Sequence, residues 1–172
     1  MNKDVVRVLD HGKELTISFD DCILYHGVDS IGGLALGFRM MQWAINEMSP
    51  NVAPDRETIS FKTAFPGPGL RDAVEMIARV VTRGAYTVLQ EIPVQAPEGV
   101  YGHMYFEVTV GEQTRRISLA PGALPEEFVQ TGRAIKAGNA DEHLKKRWTE
   151  LKHGLSEAVL GANFKDLIVV HP

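Results

Sequence analysis

Short runs rich in Val, Leu, Ile and Thr open the chain. They cover residues 5–9 and 14–19 on either side of His11-Gly12-Lys13, and together they predict a hairpin. Ser18 then precedes Asp20 and Asp21, acidic residues that suit the positive end of a helix, so a short helix is expected over about 19–25. Gly27, Gly32 and Gly33 interrupt the pattern. From about 33 to 48 apolar or small residues recur at Leu34, Gly37, Phe38, Met41, Ile45 and Met48, one face of a helix that Pro50 and Pro54 close. Gly33 and Gly37 stand four apart on that face, which lets another element approach it closely.

Alternation returns at 57–63, with Ile59 and Phe61 on one face of a predicted strand. Phe65-Pro66-Gly67-Pro68-Gly69 is a stiff turn. Leu70, Ala73, Val74, Ile77 and Val81 then mark a helix of about 69–82, with Gly84 as its C-terminal cap. Strands are predicted at 86–89, 101–110 and 115–119, the last two joined by a turn at Gly111-Glu112, and Pro93, Pro97 and Gly99 mark a long loop before them. After Pro121 the character changes. A helix of about 125–136 starts at Pro125 and ends near Gly138, and a final one runs from a cap at Asn139 or Asp141 to about 160. The stripe Leu144, Trp148, Leu151, Leu155 and Ala158 on that last helix fits two arrangements: packing on its own domain, or association of two chains into a homodimer.

Composition narrows the class. At 172 residues, 44% apolar and 23% charged, the chain suits one globular domain. Eighteen Lys and Arg against 22 Asp and Glu give 18 − 22 = −4, no electrostatic case for nucleic acid or an anionic membrane. Cys22 is the single cysteine, so neither an intramolecular disulfide nor a CxxC metal knuckle is possible. The first ten residues lack the apolar run of a secretory signal, and no stretch reaches the roughly 18–20 apolar residues of a membrane helix. A soluble protein of the cytoplasm is expected. There is no nucleophile elbow, phosphate loop or HExxH.

Candidate chemistry gathers at two glycine-rich loops that each feed a helix: His26-Gly27-Val28-Asp29-Ser30-Ile31-Gly32-Gly33 and Phe65-Pro66-Gly67-Pro68-Gly69-Leu70-Arg71-Asp72. Helix starts carry free N–H groups and partial positive charge, and glycine admits a ligand close to the backbone. Asp29, Ser30, Gly32, Gly33, Gly69 and Arg71 are therefore the candidate ligand-binding residues, with His26 and Asp72 facing the same pocket. The plainer readings are tight turns for the glycines, helix caps for Asp29 and Ser30, and an exposed ion pair for Arg71 and Asp72. Cys22, one helical turn before His26, reads either as a neighbour of that pocket or as a small buried hydrophobe. Trp43 and Trp148 read as core or interface, and His143 and His153 as solvated.

These segments resemble the FmdE family, named for a component of formylmethanofuran dehydrogenase. Ile17-Ser18-Phe19-Asp20-Asp21 through Tyr25-His26-Gly27, then Gly33-Leu34-Ala35-Leu36-Gly37-Phe38-Arg39, is similar to that family's opening; Arg71-Asp72-Ala73-Val74-Glu75 and Tyr101-Gly102-His103-Met104-Tyr105-Phe106 are similar to two later elements. The order and spacing agree over about 15–120. The resemblance implies an α+β fold, a mixed β-sheet covered by helices over residues 1–121, with 122–172 as a C-terminal helical extension. It also implies a metal held by His and Cys between such segments. Val28 replaces the family's second histidine, Ser30-Ile31-Gly32 its Cys-Pro region and Gly69 a common cysteine, so any metal would rest on N and O ligands: His26, Asp72 and His103.

Three functions follow as expectations. The first is a cleft for a divalent transition metal (Zn, Ni or Fe) or a small molecule, in a homodimer accessory to redox metabolism. The second is an enzyme in which His26 acts as acid or base and helix N-termini hold an anion. The third is an accessory component of a larger redox complex without a site of its own.

Overall fold

The computed structural model describes residues 5–172. β1 (Val5–Asp10) and β2 (Lys13–Ser18) form the expected antiparallel hairpin, which buries Val6, Val8 and Ile17. Its turn is His11-Gly12, both at positive φ (50° and 77°), the geometry that matches strand twist in a two-residue loop. Ser18 caps α1 (Phe19–His26) through a reciprocal pair: its hydroxyl accepts the Asp21 N–H, and the Asp21 carboxylate accepts the Ser18 N–H. The Ser18 hydroxyl also donates to the Asp21 carboxylate at 2.6 Å, and this bond and the one from the Ser18 N–H hold that carboxyl below the ordinary aspartate range.

α2 (Ile31–Met48) is buried over most of its circumference, so it is the central helix rather than a surface one. It starts two residues before the position predicted. The strand expected at 57–63 is a short 3-10 turn, Arg56–Thr58, followed by β3 (Ile59–Thr63). α3 (Pro68–Ala78) begins with Pro in the first turn and stops earlier than its apolar stripe suggests. Arg79, at φ 55°, ends it in place of Gly84. The cause is Glu75, whose carboxylate accepts the Val81 N–H at 2.6 Å, the Thr82 N–H at 3.2 Å and the Thr82 hydroxyl, turning the chain out of the helix.

β4 (Tyr86–Val88), β5 (Tyr105–Val110) and β6 (Gln113–Leu119) follow, and residues 101–104 remain loop, so the strand predicted from 101 starts late. α4 (Glu126–Lys136) and α5 (Glu142–Gly161) match the expected helices, with Asp141 as the cap of α5. The segment 122–172 carries these two helices and, beyond them, a strand that its sequence pattern did not predict. A 3-10 turn at Phe164–Leu167 leads into β7 (Ile168–His171), which pairs with β6.

The fold is α+β: five helices, a small hairpin sheet and a mixed five-stranded sheet in the order β4-β3-β5-β6-β7 among the described residues. Within the larger sheet, β3 runs parallel to β4 and the other neighbours pair antiparallel. The inner face carries Ile59, Phe61, Phe106, Val108 and Ile117 against the helices. The outer face carries Lys62, Glu107 and Arg116 in register, with Glu107 within 3.8 Å of Lys62 and 3.9 Å of Arg116. The stripe on α5 is used within the chain: Trp148 lies 4.6 Å from Phe128 on α4, and Leu155 packs at Gly32 of α2. Ala158 is exposed, and Ser156 and Val159 turn inward instead.

Candidate functional site

α1 ends at His26, and α3 has just begun at Asp72; the packing of these two helices brings the residues together across 46 positions of chain. His26 Nδ1 lies 2.7 Å from Asp72 Oδ2. A carboxylate only accepts, so Nδ1 carries a proton, and in the neutral imidazole Nε2 keeps its lone pair. The imidazole is 8% exposed and the Asp72 side chain 23%. Nε2 is buried and has no hydrogen-bond partner among the described residues. Arg71 Nη1 reaches the other Asp72 oxygen at 3.3 Å, the exposed ion pair that the sequence allowed.

Asp29 and Ser30 belong to the loop directly after His26. Asp29 is bonded to Lys152 of α5, whose ammonium holds its carboxyl below the usual carboxylate range; His26 contributes in the same direction. Ser30 holds the N-cap position of α2 in a left-handed conformation (φ 49°), and its carbonyl accepts the Leu34 N–H at 3.1 Å while its side chain makes no cap bond.

The glycines do different work from that expected of a ligand cradle. A Cβ on Gly69 would run into the Ser30 carbonyl and lie 2.7 Å from the Leu34 nitrogen. One on Gly33 would touch the Leu70 nitrogen at 3.4 Å, one on Gly37 the Ala73 Cβ at 2.8 Å, and one on Gly32 the Leu155 side chain at 2.9 Å. The two helix entrances thus face each other, and the close approach of α2 and α3 requires glycine at positions 69 and 37, whereas a Cβ at Gly33 would make only ordinary contact.

The hollow beside these entrances is narrow, about 40 Å³. Ser30, Gly33 and Gly69 border it, and so do Phe65, Tyr101, Phe128, Trp148 and Lys152. Neither His26 nor Asp72 is among its walls, so the expectation that both face this pocket is corrected. The structure joins two of the three expected metal ligands and leaves out the third. His103 is exposed, bridged to Glu98 in the loop before β5. Among the described residues no three His, Cys, Asp or Glu side chains are grouped to hold a metal ion, so the set His26, Asp72 and His103 is corrected to a pair. Cys22 is fully buried, and burial pushes its thiol up to about 12.

Lys152 and Trp148 escaped the sequence reading of the site. Lys152 sits 123 positions from the Asp29 it meets, and only the i, i+4 spacing of the two residues on one helix hinted at a shared face. Tyr86 was missed as well. Its hydroxyl is buried without a partner among the described residues, burial raises its pKa, and the charge of Arg71 works against that rise.

No family model matches the chain, and no curated protein matches it either. Among the described residues no helix is long and apolar enough to cross a membrane.

Proposed function

We propose that this chain is a small-ligand-binding protein of the FmdE kind, working in the cytoplasm. In this reading His26 meets the ligand and Asp72 positions it. One observation carries the reading: Nδ1 is committed to a carboxylate while Nε2 is buried and unpartnered among the described residues. A buried polar atom without a partner costs about 1–3 kcal/mol, and such atoms stand out in native folds as sites of function. An Nε2 presented this way accepts a ligand's N–H or O–H, takes up a proton as a base, or binds a metal. A carboxylate behind an imidazole also suits a metal ligand, but Zn, Ni or Fe would need further donors. With two grouped donors rather than three among the described residues, the donor set suits an organic ligand better.

A partner chain, as a homodimer or within a larger redox complex, would use the apolar surface of Leu24 (85% exposed), Tyr25 and Val28, which adjoins His26.

The test uses tag-free protein and the His26→Gln variant. Elemental analysis of both is paired with a ligand-observed NMR screen of small carboxylates, amides and alcohols. The expected result is metal at trace level and a set of binders that the variant loses. Stoichiometric metal in the parent alone would replace the organic ligand with a metal. Identical binders in both proteins would remove His26 from the site.

A further inference from the structure

We infer that the ligand is a small organic anion, a carboxylate with a short apolar body, which binds by taking the place of Asp29 on Lys152. The inference rests on the ligand-site reading above and adds the charge and shape of the occupant.

Lys152 is the natural anchor. Its side chain is only 12% exposed, it borders the cleft, and its ammonium stands 5.6 Å from the centre of the Trp148 ring. The buried stem holds the ammonium beside an aromatic wall, where an anion is its natural partner. The chain supplies one of its own in Asp29, a side chain that is itself 79% exposed. An ion pair with one partner so open to water is worth little, so an incoming carboxylate displaces Asp29 at small cost.

The loop that carries Asp29 has turning points at both ends. Gly27 has φ 91°, and Ser30 has φ 49° with no side-chain cap bond to hold it. Ser30 therefore sits in a conformation that non-glycine residues rarely adopt, and it marks the bend at which the loop joins α2. The same short loop directly follows His26, so its movement shifts the segment next to the buried Nε2.

Exchange of one carboxylate for another keeps the charge at Lys152 balanced. The gain comes from the apolar body, which covers Phe65, Tyr101, Phe128 and Trp148. A cation would be repelled by Lys152. A neutral molecule would leave Asp29 in place. The present volume of about 40 Å³ limits the body to a few heavy atoms unless the loop opens.

The experiment follows the Trp148 indole resonance while the whole chain is titrated with propionate and benzoate, and with benzylammonium as the cation of matched shape. The parent binds the carboxylates and not the cation. Asp29→Asn removes the internal competitor and tightens carboxylate binding by up to about fivefold, the factor that matches a weak ion pair. Lys152→Met keeps the apolar stem and weakens binding at least about tenfold. Benzylammonium binding as well as benzoate, or Asp29→Asn binding no more tightly than the parent, overturns the inference, and neither result depends on the Lys152 variant folding. His26→Gln separates the two readings. Carboxylate binding that follows Lys152 and Asp29 but ignores His26 keeps this inference and removes the histidine's role. Fragment binding that needs His26 without preferring carboxylates does the reverse.

Discussion

Two side chains used by the fold itself make contrasting predictions beside the His26–Asp72 pair. Cys22, at zero exposure with its thiol pushed up to about 12, holds almost no thiolate at neutral pH. Labelling by an aromatic disulfide reagent near neutral pH should therefore follow global unfolding and accelerate with urea; fast labelling of the native protein would contradict that burial. Glu75 titrates differently. Burial alone would raise its carboxyl, but Thr82, Val81 and Arg79 together hold it below its ordinary value of 4.5. Its stabilising contribution is thus fully present above 4.5 and is lost as pH falls below that value, where the unfolded chain takes up the proton first. Glu75→Gln should lower stability at neutral pH by about 1–3 kcal/mol and flatten its dependence between about pH 5 and 3, measured by urea denaturation.

The helices meet through glycine. α2 and α3 approach so closely that Gly69 faces backbone atoms of the opposite helix, which cannot rotate away as a side chain can. Gly69→Ala should cost about 2–3 kcal/mol through overpacking. Gly154 gives the control, because a Cβ there meets nothing within 4 Å and the residue lies inside α5. Gly154→Ala should raise stability by about 0.5–1 kcal/mol, as helix propensity alone dictates. Thermal melts of the two variants should move in opposite directions.

The segment after α5 ties the C-terminal strand to the rest of the molecule. Phe164 is buried 6.2 Å from Trp43 on the central helix, and Ile168 of β7 pairs with Leu119 of β6. Phe164→Ala should reduce stability by about 3 kcal/mol or more and change the emission of Trp43, because the cavity opens beside that indole. A loss of well under about 1 kcal/mol would mean that the C-terminal strand lies outside the cooperative core.

The helices and most strands were legible in the chain because each carries its own periodicity: Ser18 with Asp21, the face from Leu34 to Met48, the alternation around Ile59 and Phe61. β7 was not, since a four-residue edge strand holds too few positions to establish a period. The C-terminal end of α3 was misplaced because an apolar residue at Val81 continues the stripe, while the helix is ended by Glu75 reaching forward to the backbone of Val81 and Thr82. In the candidate site, residue type pointed to His26 and Asp72, but chemistry alone could not assign their partners. Which carboxylate meets the imidazole, that His103 stands apart, and that Lys152 closes on Asp29 are all set by how α1, α3 and α5 pack. Local sequence encodes backbone preference and burial, whereas contacts between residues 46 and 123 positions apart exist only once those helices have found their places.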